Sequence, residues 1–521
     1  MKKSIIIHPF LFAVYPIYFL YLYNIEKVSF NLTYLPLVIT LCVTITLFLF
    51  ANLFTKNFIK AGILVTAFLI LFFSYGHTLE FLKNFDGTRD SLIKIGRIRY
   101  LLPVWFLLFV MVIFYLKNTK MNLLYFNKVL NIISSTLISL LLINTVLYKI
   151  KKIDNQLEII NFKSVYDQSV NFSNEDIVRE LPDVYYIILD AYTSSKVLSE
   201  EYGFENIEFI EYLTKKGFYI ASKSRSNYQR TESSLPSSLN MDYLQNLFDL
   251  SGDVTDYIPR LRESVHNNKV LNTFKSMKYK TINIGGDHQT YNNNYADLNI
   301  NVGINDELIN QIVRTSMLLH VDDLFGLLKR RRILKTFEEL KKIPRMKEPT
   351  FTFAHILVPH GPFVFKANGE KIIFSKMFYE KKLWKRGATA RDQYLDQLKF
   401  ANQKTMILID QIIKDSDIPP IIIVQGDHGP DLFMPNDSWP KAKNLTKTML
   451  NEKTGILNAY YLPQCDGKYL YESISPVNSF RAIFNSCFDM EFNLLDDYYY
   501  YTRKYTSHLF NDITDRVKNI K

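Results

Sequence analysis

The run IIIVQGDHGP, residues 421–430, sets a carboxylate and an imidazole side by side: Asp427 and His428, with Gly426 before them and Gly429 after. Three other apolar runs end in residues of the same kind. VYYIILD (184–190) closes on Asp190, KTINIGGD (280–287) on Asp287 with His288 next, and TFTFAHILVPH (350–360) on His360. Two carboxylates and an imidazole form a mixed oxygen and nitrogen donor set, which suits one Zn²⁺ or Mn²⁺ better than an all-oxygen Ca²⁺ or Mg²⁺ site. The stretch SNYQRTESSLPSSLNMDYL (226–244) supplies hydroxyls: Thr231, Ser233, Ser234, Ser237 and Ser238. A hydroxyl near a helix start gains twice, because a bound cation lowers its pKa and the helix amides favour an incoming anion. Transfer of a phosphoryl or sulfuryl group then needs little beyond positioning and charge neutralisation. The same residues also have plain structural readings, since acids and hydroxyls of this spacing cap helices and close turns.

Only a particular scaffold brings such scattered residues together. Continuous apolar runs of this length are strands buried on both faces. Amphipathic segments lie between them, at Glu205–Lys216, His266–Lys275, Ile333–Lys342 and Arg391–Lys414. The alternation predicts an α/β fold, a mainly parallel sheet sandwiched by helices. In such sheets ligands bind beyond the carboxyl ends of the strands, where Asp190, His288, His360, Asp427 and His428 would converge.

The first 150 residues follow a different rule. Mean hydropathy of the whole chain is near zero (−0.03), yet five blocks are almost free of charge: Ile5–Tyr23, Leu32–Phe54, Ala61–Leu79, Tyr100–Leu116 and Val129–Leu147. Each is long enough for a helix that crosses about 30 Å of hydrocarbon. The expected organisation is a five-helix transmembrane anchor over 1–148, a polar linker over 149–180, and a catalytic domain over 181–521. With a cytoplasmic amino terminus, five spans leave that domain on the outer face. The loop charges do not set this orientation by themselves: Lys56, Lys60, Lys117, Lys120 and Lys128 fall inside, while Arg89, Lys94, Arg97, Arg99, Lys149, Lys151 and Lys152 fall outside. A net charge of +11 fits anionic lipid or phosphorylated substrates as well as a solvated Lys-rich surface, and no nucleic-acid motif is present. Of the three cysteines, Cys42 lies in an apolar block; whether Cys465 and Cys487 pair depends on geometry.

Asp190 closing a strand, Thr231 in a TxxSxP setting, PHGPF at 359–363 and GDHG at 426–429 together resemble the alkaline phosphatase and sulfatase superfamily. Within it the likeness is to the membrane-anchored branch, the lipoteichoic acid synthases and phosphoethanolamine transferases. It covers residues 181 to about 486 by ordered motifs, and the anchor loosely. The resemblance implies an acidic metal ligand at Asp190, a metal-bound nucleophile at Thr231, paired ligands at Asp427 and His428, and a phosphate contact at His360. His288 would be a further substrate-side histidine, and Asn478 and Arg481 would serve structure. Two departures bear on chemistry. SLPSS (234–238) follows the C/S-x-P-x-R signature of formylglycine sulfatases until Ser238 stands where Arg is required, and no cysteine lies there. No histidine occurs between His428 and His508, so a second metal would lack a ligand that the phosphoethanolamine enzymes carry.

The function so implied is a membrane-bound, metal-dependent transferase. It would move phosphoglycerol or phosphoethanolamine from a lipid donor to a cell-surface glycan or lipid acceptor through Thr231. The alternatives are a sulfatase-family hydrolase of surface polysaccharide, whether phosphatase, phosphodiesterase or sulfuric ester hydrolase, and a non-catalytic binding relative.

Overall fold

The run VYYIIL has no polar face, so it is stable only where both faces are covered. In the computed structural model these residues form β1 (Val184–Leu189), buried along its whole length. The structure describes residues 5–25, 30–85, 98–159, 181–248, 254–285, 290, 293–302, 304–319, 326–372, 390–434, 439–503 and 506–520. The chain folds as two compact units, Met1–Gln168 with Ile304–Asp322, and Ser169–Gly303 with Asp323–Lys521.

The second unit is built on a seven-stranded sheet. Its other strands are β2 (Tyr219–Ile220), β3 (Lys280–Gly285), β4 (Leu298–Asn301), β5 (Thr350–Ile356), β6 (Ile421–Gln425) and β7 (Asn458–Tyr461). The order is β2-β7-β6-β1-β5-β3-β4. β6, β1, β5, β3 and β4 run parallel, and β7 is antiparallel to both β6 and β2. This is the mainly parallel α/β architecture expected from the sequence. Side chains alternate across it: Tyr185, Ile187 and Leu189 join one apolar core with Ile422 and Val424, while Val184, Tyr186 and Ile188 join another with Ile421 and Ile423. Helices supply the other half of each core, among them Ala390–Asp415 on the first side and Pro476–Cys487 on the second. β1 is flanked by β5 and β6 in matched register, with Ile188 opposite both His355 and Gln425, so the carboxyl ends of three strands lie together. A small antiparallel ribbon, β8 (Tyr500–Arg503) with β9 (Thr506–Asp512), was not expected from the sequence.

Among the described residues the first unit holds five apolar helices: α1 (His8–Tyr23), α2 (Tyr34–Thr55), α3 (Phe58–Phe85), α4 (Ile98–Asn118) and α5 (Leu124–Ile159). Among the described residues four segments are long and apolar enough to cross a membrane: Phe30–Thr55, Phe58–Leu79, Leu101–Asn118 and Leu124–Tyr148. The fifth expected span, α1, has 16 residues, about 24 Å at the helical rise and short of the hydrocarbon thickness. Large apolar side chains such as Leu53, Phe106 and Ile132 stand exposed on α2, α4 and α5, as lipid-facing surfaces do. α5 continues past Tyr148 into residues expected as linker, because neither Gly nor Pro interrupts the chain before Ile159; residues 160–180 lie outside the described residues.

The segment Ile304–Asp322 falls, by sequence, inside the expected 181–521 domain, yet it packs with this unit. Its helix, Ile304–Thr315, buries Leu308 and Ile312 among residues of α1 and α3. Asn24 and Gln311 exchange amide hydrogen bonds at 2.6 and 3.1 Å, and Met317 N–H donates to Phe72 O at 3.0 Å. Gly76 is required at this contact, since a Cβ there would lie 2.0 Å from Arg314 O.

Candidate active site

Asp190 directly follows β1, and Asp427 and His428 come just after neighbouring β6. The turn that carries Asp427 and His428 is set by backbone packing. A Cβ on Gly426 would lie 2.2 Å from Tyr192 O, and one on Gly429 would lie 1.7 Å from Glu452 O, so both glycines are needed for close approach. Ala191 adopts φ +63°, a left-handed conformation that a non-glycine residue keeps only when its surroundings hold it. Its N–H donates to Asp427 Oδ1 at 3.0 Å and its carbonyl accepts from Tyr394 at 3.0 Å.

Within this frame Asp190, Asp427 and His428 each present a ligand atom, all within 4.8 Å of one another, and all three residues are buried. His428 Nδ1 donates to Gly429 O at 2.9 Å. A carbonyl can only accept, so the proton sits on Nδ1 and Nε2 keeps its lone pair. Burial pushes the pKa of His428 down to about 3, with Lys453 adding to the effect against the pull of Asp427, so the imidazole is neutral at physiological pH. Burial likewise raises the Asp190 carboxyl to about 6, helped by Asp427 and opposed by His360 and His355. Burial also acts upward on Asp427, but His428, His355, the Ala191 amide and the Thr231 hydroxyl hold its pKa below the ordinary value.

Asp190 Oδ1 is buried without a hydrogen-bond partner among the described residues and lies 3.8 Å from His428 Nε2. A bare carboxylate oxygen facing an imidazole lone pair in a dry site is costly. A cation shared by the two removes that cost, so these donors fit a divalent metal.

Thr231 opens the helix Thr231–Asn240, with Arg230 at its cap in extended conformation. Its Oγ1 donates to Asp427 Oδ2 at 2.7 Å and lies 3.1 Å from His428 Nε2. The structure therefore brings Asp190, Thr231, Asp427 and His428 together, although their sequence positions span most of the second unit. His360 follows β5; its N–H donates to Asp190 O at 3.0 Å, and its ring centre is 6.4 Å from that of His428. His288 and Asp287 lie outside the described residues. Ser234, the Ser of the SLPSS stretch, is buried one turn into the helix.

A cavity of about 290 Å³ opens over Thr231, His360 and His428. Its further wall contains residues that the sequence did not single out, including Gln229, Trp439, Lys453 and Tyr394. Lys453 is buried, donates to Gly429 O at 2.9 Å, and sits 5.1 Å from the Trp439 ring centre. Nothing in NEKTG marks that lysine as an inward-facing one. Arg230 pairs with Glu232 and lies 5.9 Å from the same ring. Asn227, in the hydroxyl-rich stretch, is structural: it donates to Ser475 Oγ and Tyr498 O, both at 2.9 Å, and accepts from Val477 N–H. Asn478 and Arg481 are structural as well, the first bonding Leu495 through both ends of its amide, the second bonding Met241 O and Asn493 O.

A family model described as Sulfatase matches residues 182–462. No curated protein matches the chain. Solved structures similar to it include the periplasmic domain of phosphoethanolamine transferase EptC from Campylobacter jejuni, with TM-score 0.39 and 11% identity, covering 61% of this chain and 92% of that one. The Zn complex of the EptC periplasmic domain from Escherichia coli is similar with TM-score 0.40 and 12% identity, over 64% and 93%. The integral membrane lipooligosaccharide phosphoethanolamine transferase EptA from Neisseria meningitidis has TM-score 0.37 and 11% identity, over 92% and 95%.

Proposed function

The chain belongs to the sulfatase family, enzymes of sulfate and phosphate esters, and from that premise we propose that it transfers a phosphate-linked headgroup from a membrane lipid through a covalent intermediate on Thr231. The observation that carries this reading is the placement of Thr231 Oγ1, 2.7 Å from Asp427 Oδ2 and 3.1 Å from His428 Nε2, on the wall of a cavity. A divalent cation held by Asp190, Asp427 and His428, Zn²⁺ or Mn²⁺ by its donors, would lower the hydroxyl pKa and neutralise phosphate charge. Asp427 accepts the Thr231 hydrogen bond and aims the oxygen. Oγ1 attacks phosphorus, the phosphorus–oxygen bond to the lipid breaks, and the hydroxyl proton passes to the departing alkoxide through solvent. The amino-terminal turn of the Thr231–Asn240 helix favours the added anion, and His360 stands on the cavity wall beside it. An acceptor hydroxyl on a cell-surface glycan or lipid then attacks the same phosphorus, and Thr231 regains its proton.

A lipid donor accounts for the apolar helices of the first unit, since confinement to the bilayer raises the local concentration of headgroups. An extracytoplasmic catalytic domain is supported by the Cys465–Cys487 disulfide, a bond that persists in oxidising compartments. The formylglycine route of sulfate-ester hydrolysis has no support, because the required residue is absent and Thr231 stands at the metal donors instead.

The test is intact-mass analysis of the full chain in detergent after incubation with phosphatidylglycerol or phosphatidylethanolamine. The expected result is a headgroup-phosphate adduct on the peptide containing Thr231, absent in Thr231→Ala. An adduct on another residue, or headgroup release that survives Thr231→Ala, would overturn the reading.

A further inference from the structure

Residues 357–364, which carry His360, form neither helix nor strand, so their backbone groups need partners from elsewhere. The side chain of Gln397 supplies four. Its Nε2 donates to Pro359 O at 3.1 Å and to His360 O at 2.8 Å, and its Oε1 accepts from Val364 N–H at 2.8 Å and Phe365 N–H at 3.3 Å. One amide therefore joins the incoming limb of the loop to the outgoing one. Gln397 is fully buried, and two donors with a two-lone-pair acceptor are all that a primary amide has, so its capacity is completely used.

The other contacts of the loop do not close it in this way. Lys329, on the helix Leu327–Leu340, donates to His360 O at 2.5 Å and Pro362 O at 3.2 Å. The His360 ring donates from Nδ1 to Gly361 O at 2.5 Å, so its direction follows the loop backbone, and Nε2 is the nitrogen left for a ligand in the cavity that His360 lines. Gln397 itself does not line that cavity. Tyr394, one turn earlier on the same helix, donates to Ala191 O beside Asp190. The helix Ala390–Asp415 thus holds both the turn behind the metal donors and the loop behind His360.

We propose that Gln397 is a positioning residue for the reaction: by tying the two limbs of the 359–365 loop together it keeps the His360 ring turned into the cavity beside Thr231. The role given to His360 rests on the phosphoryl-transfer reading above, and anion binding tests the proposal apart from the chemistry.

The full chain in detergent, with one equivalent of Zn²⁺, is titrated calorimetrically with inorganic phosphate. His360→Ala should weaken phosphate binding about tenfold, the value of one hydrogen bond to a charged group. Gln397→Met, close in volume and without hydrogen-bonding atoms that replace the amide, should weaken it to a similar extent. Gln397→Glu, which keeps an acceptor for Val364 and Phe365 but has at most one proton for the two carbonyls, should fall between and serves if the methionine variant does not fold. The double variant with His360→Ala should bind no more weakly than His360→Ala alone, because two changes that act through one group do not add. A merely structural glutamine predicts otherwise, since general loosening adds to the loss of the ring. Phosphate affinity untouched by the Gln397 substitutions, a loss that persists in the His360→Ala background, or a parallel loss of Zn²⁺ affinity would each refute the proposal. Failure of the covalent step shows instead as a missing Thr231 adduct while this binding pattern stands, so the two readings fall independently.

Discussion

Gly429→Ala puts the construction of the GDHG turn to a quantitative test. The new Cβ would lie 1.7 Å from Glu452 O and 2.8 Å from its carbonyl carbon, both backbone atoms, where contacts under 3.0 Å are essentially never found. The turn and the Lys447–Thr454 helix must therefore part by more than 1 Å. Parting strains Gly429 N–H to Lys453 O (3.1 Å) and Lys453 Nζ to Gly429 O (2.9 Å). Overpacking of this kind costs about 1–3 kcal/mol, and each of the two hydrogen bonds lost about 1 kcal/mol more, so a total loss of about 3–5 kcal/mol is expected. The larger consequence is chemical. His428, a ligand in the proposed metal site, is the adjacent residue; ligand distances hold to within about 0.2 Å, and about 1 Å of misplacement costs roughly 100-fold in rate. Urea unfolding, cation titration and headgroup transfer by the purified full chain measure the three effects. Gly467→Ala is the control: φ there is +62°, but the nearest atom is 4.0 Å away, so it should cost about 1 kcal/mol through the backbone alone and leave transfer intact. If Gly429→Ala matches Gly467→Ala in cation affinity and transfer, the claim that close approach fixes the ligand turn is wrong.

Cation affinity should depend on pH through Asp190. Its carboxyl, pushed up to about 6 by burial, takes up a proton as pH falls below that value, while His428 at about 3 stays neutral. Affinity should then be flat above pH 6 and fall about tenfold per pH unit beneath it; isothermal titration at pH 7.5, 6 and 5 checks this, and a two-proton slope would contradict it. The metal-free protein has the opposite stability trend. The buried carboxyl must ionise as pH rises from its ordinary 3.8 through 6, so stability falls over that window and added cation restores it. Reduction of Cys465–Cys487, or Cys465→Ser, frees a loop of sequence separation 22 and should lower unfolding stability by about 3 kcal/mol, without shifting cation affinity. Gly76→Val should expel the Ile304–Thr315 helix from the first unit, because the Cβ would lie 2.0 Å from Arg314 O; limited proteolysis should then cut within 304–319, which stays protected in the unsubstituted chain.

Local chemistry made much of this molecule legible from sequence. The four principal strands are readable because runs such as VYYIIL and IIIV have nowhere to put a polar face, and the apolar helices because hydrophobic length is a one-dimensional property. Asp190, Asp427 and His428 could be singled out because each ends such a strand, and parallel strands deliver their carboxyl ends to one edge. Their spacing from Thr231 could not be read in the same way. That Thr231 Oγ1, and not Ser234, reaches Asp427 follows from the start point and phase of one helix, which hydroxyl-rich sequence leaves open. Glycine in GDHG reads as a turn, but its steric necessity comes from Glu452 and Tyr192, far away along the chain. Gln229, Lys453 and Trp439 have no periodic signature, since their burial depends on which distant surfaces close over them. The same holds for Ile304–Thr315, whose amphipathic pattern announces an apolar face without naming the surface that covers it. Periodicity and donor chemistry are properties of a chain, and sequence carries them; partner choice and the contents of a cavity arise only when separate segments exclude water together, and that the tertiary structure alone decides.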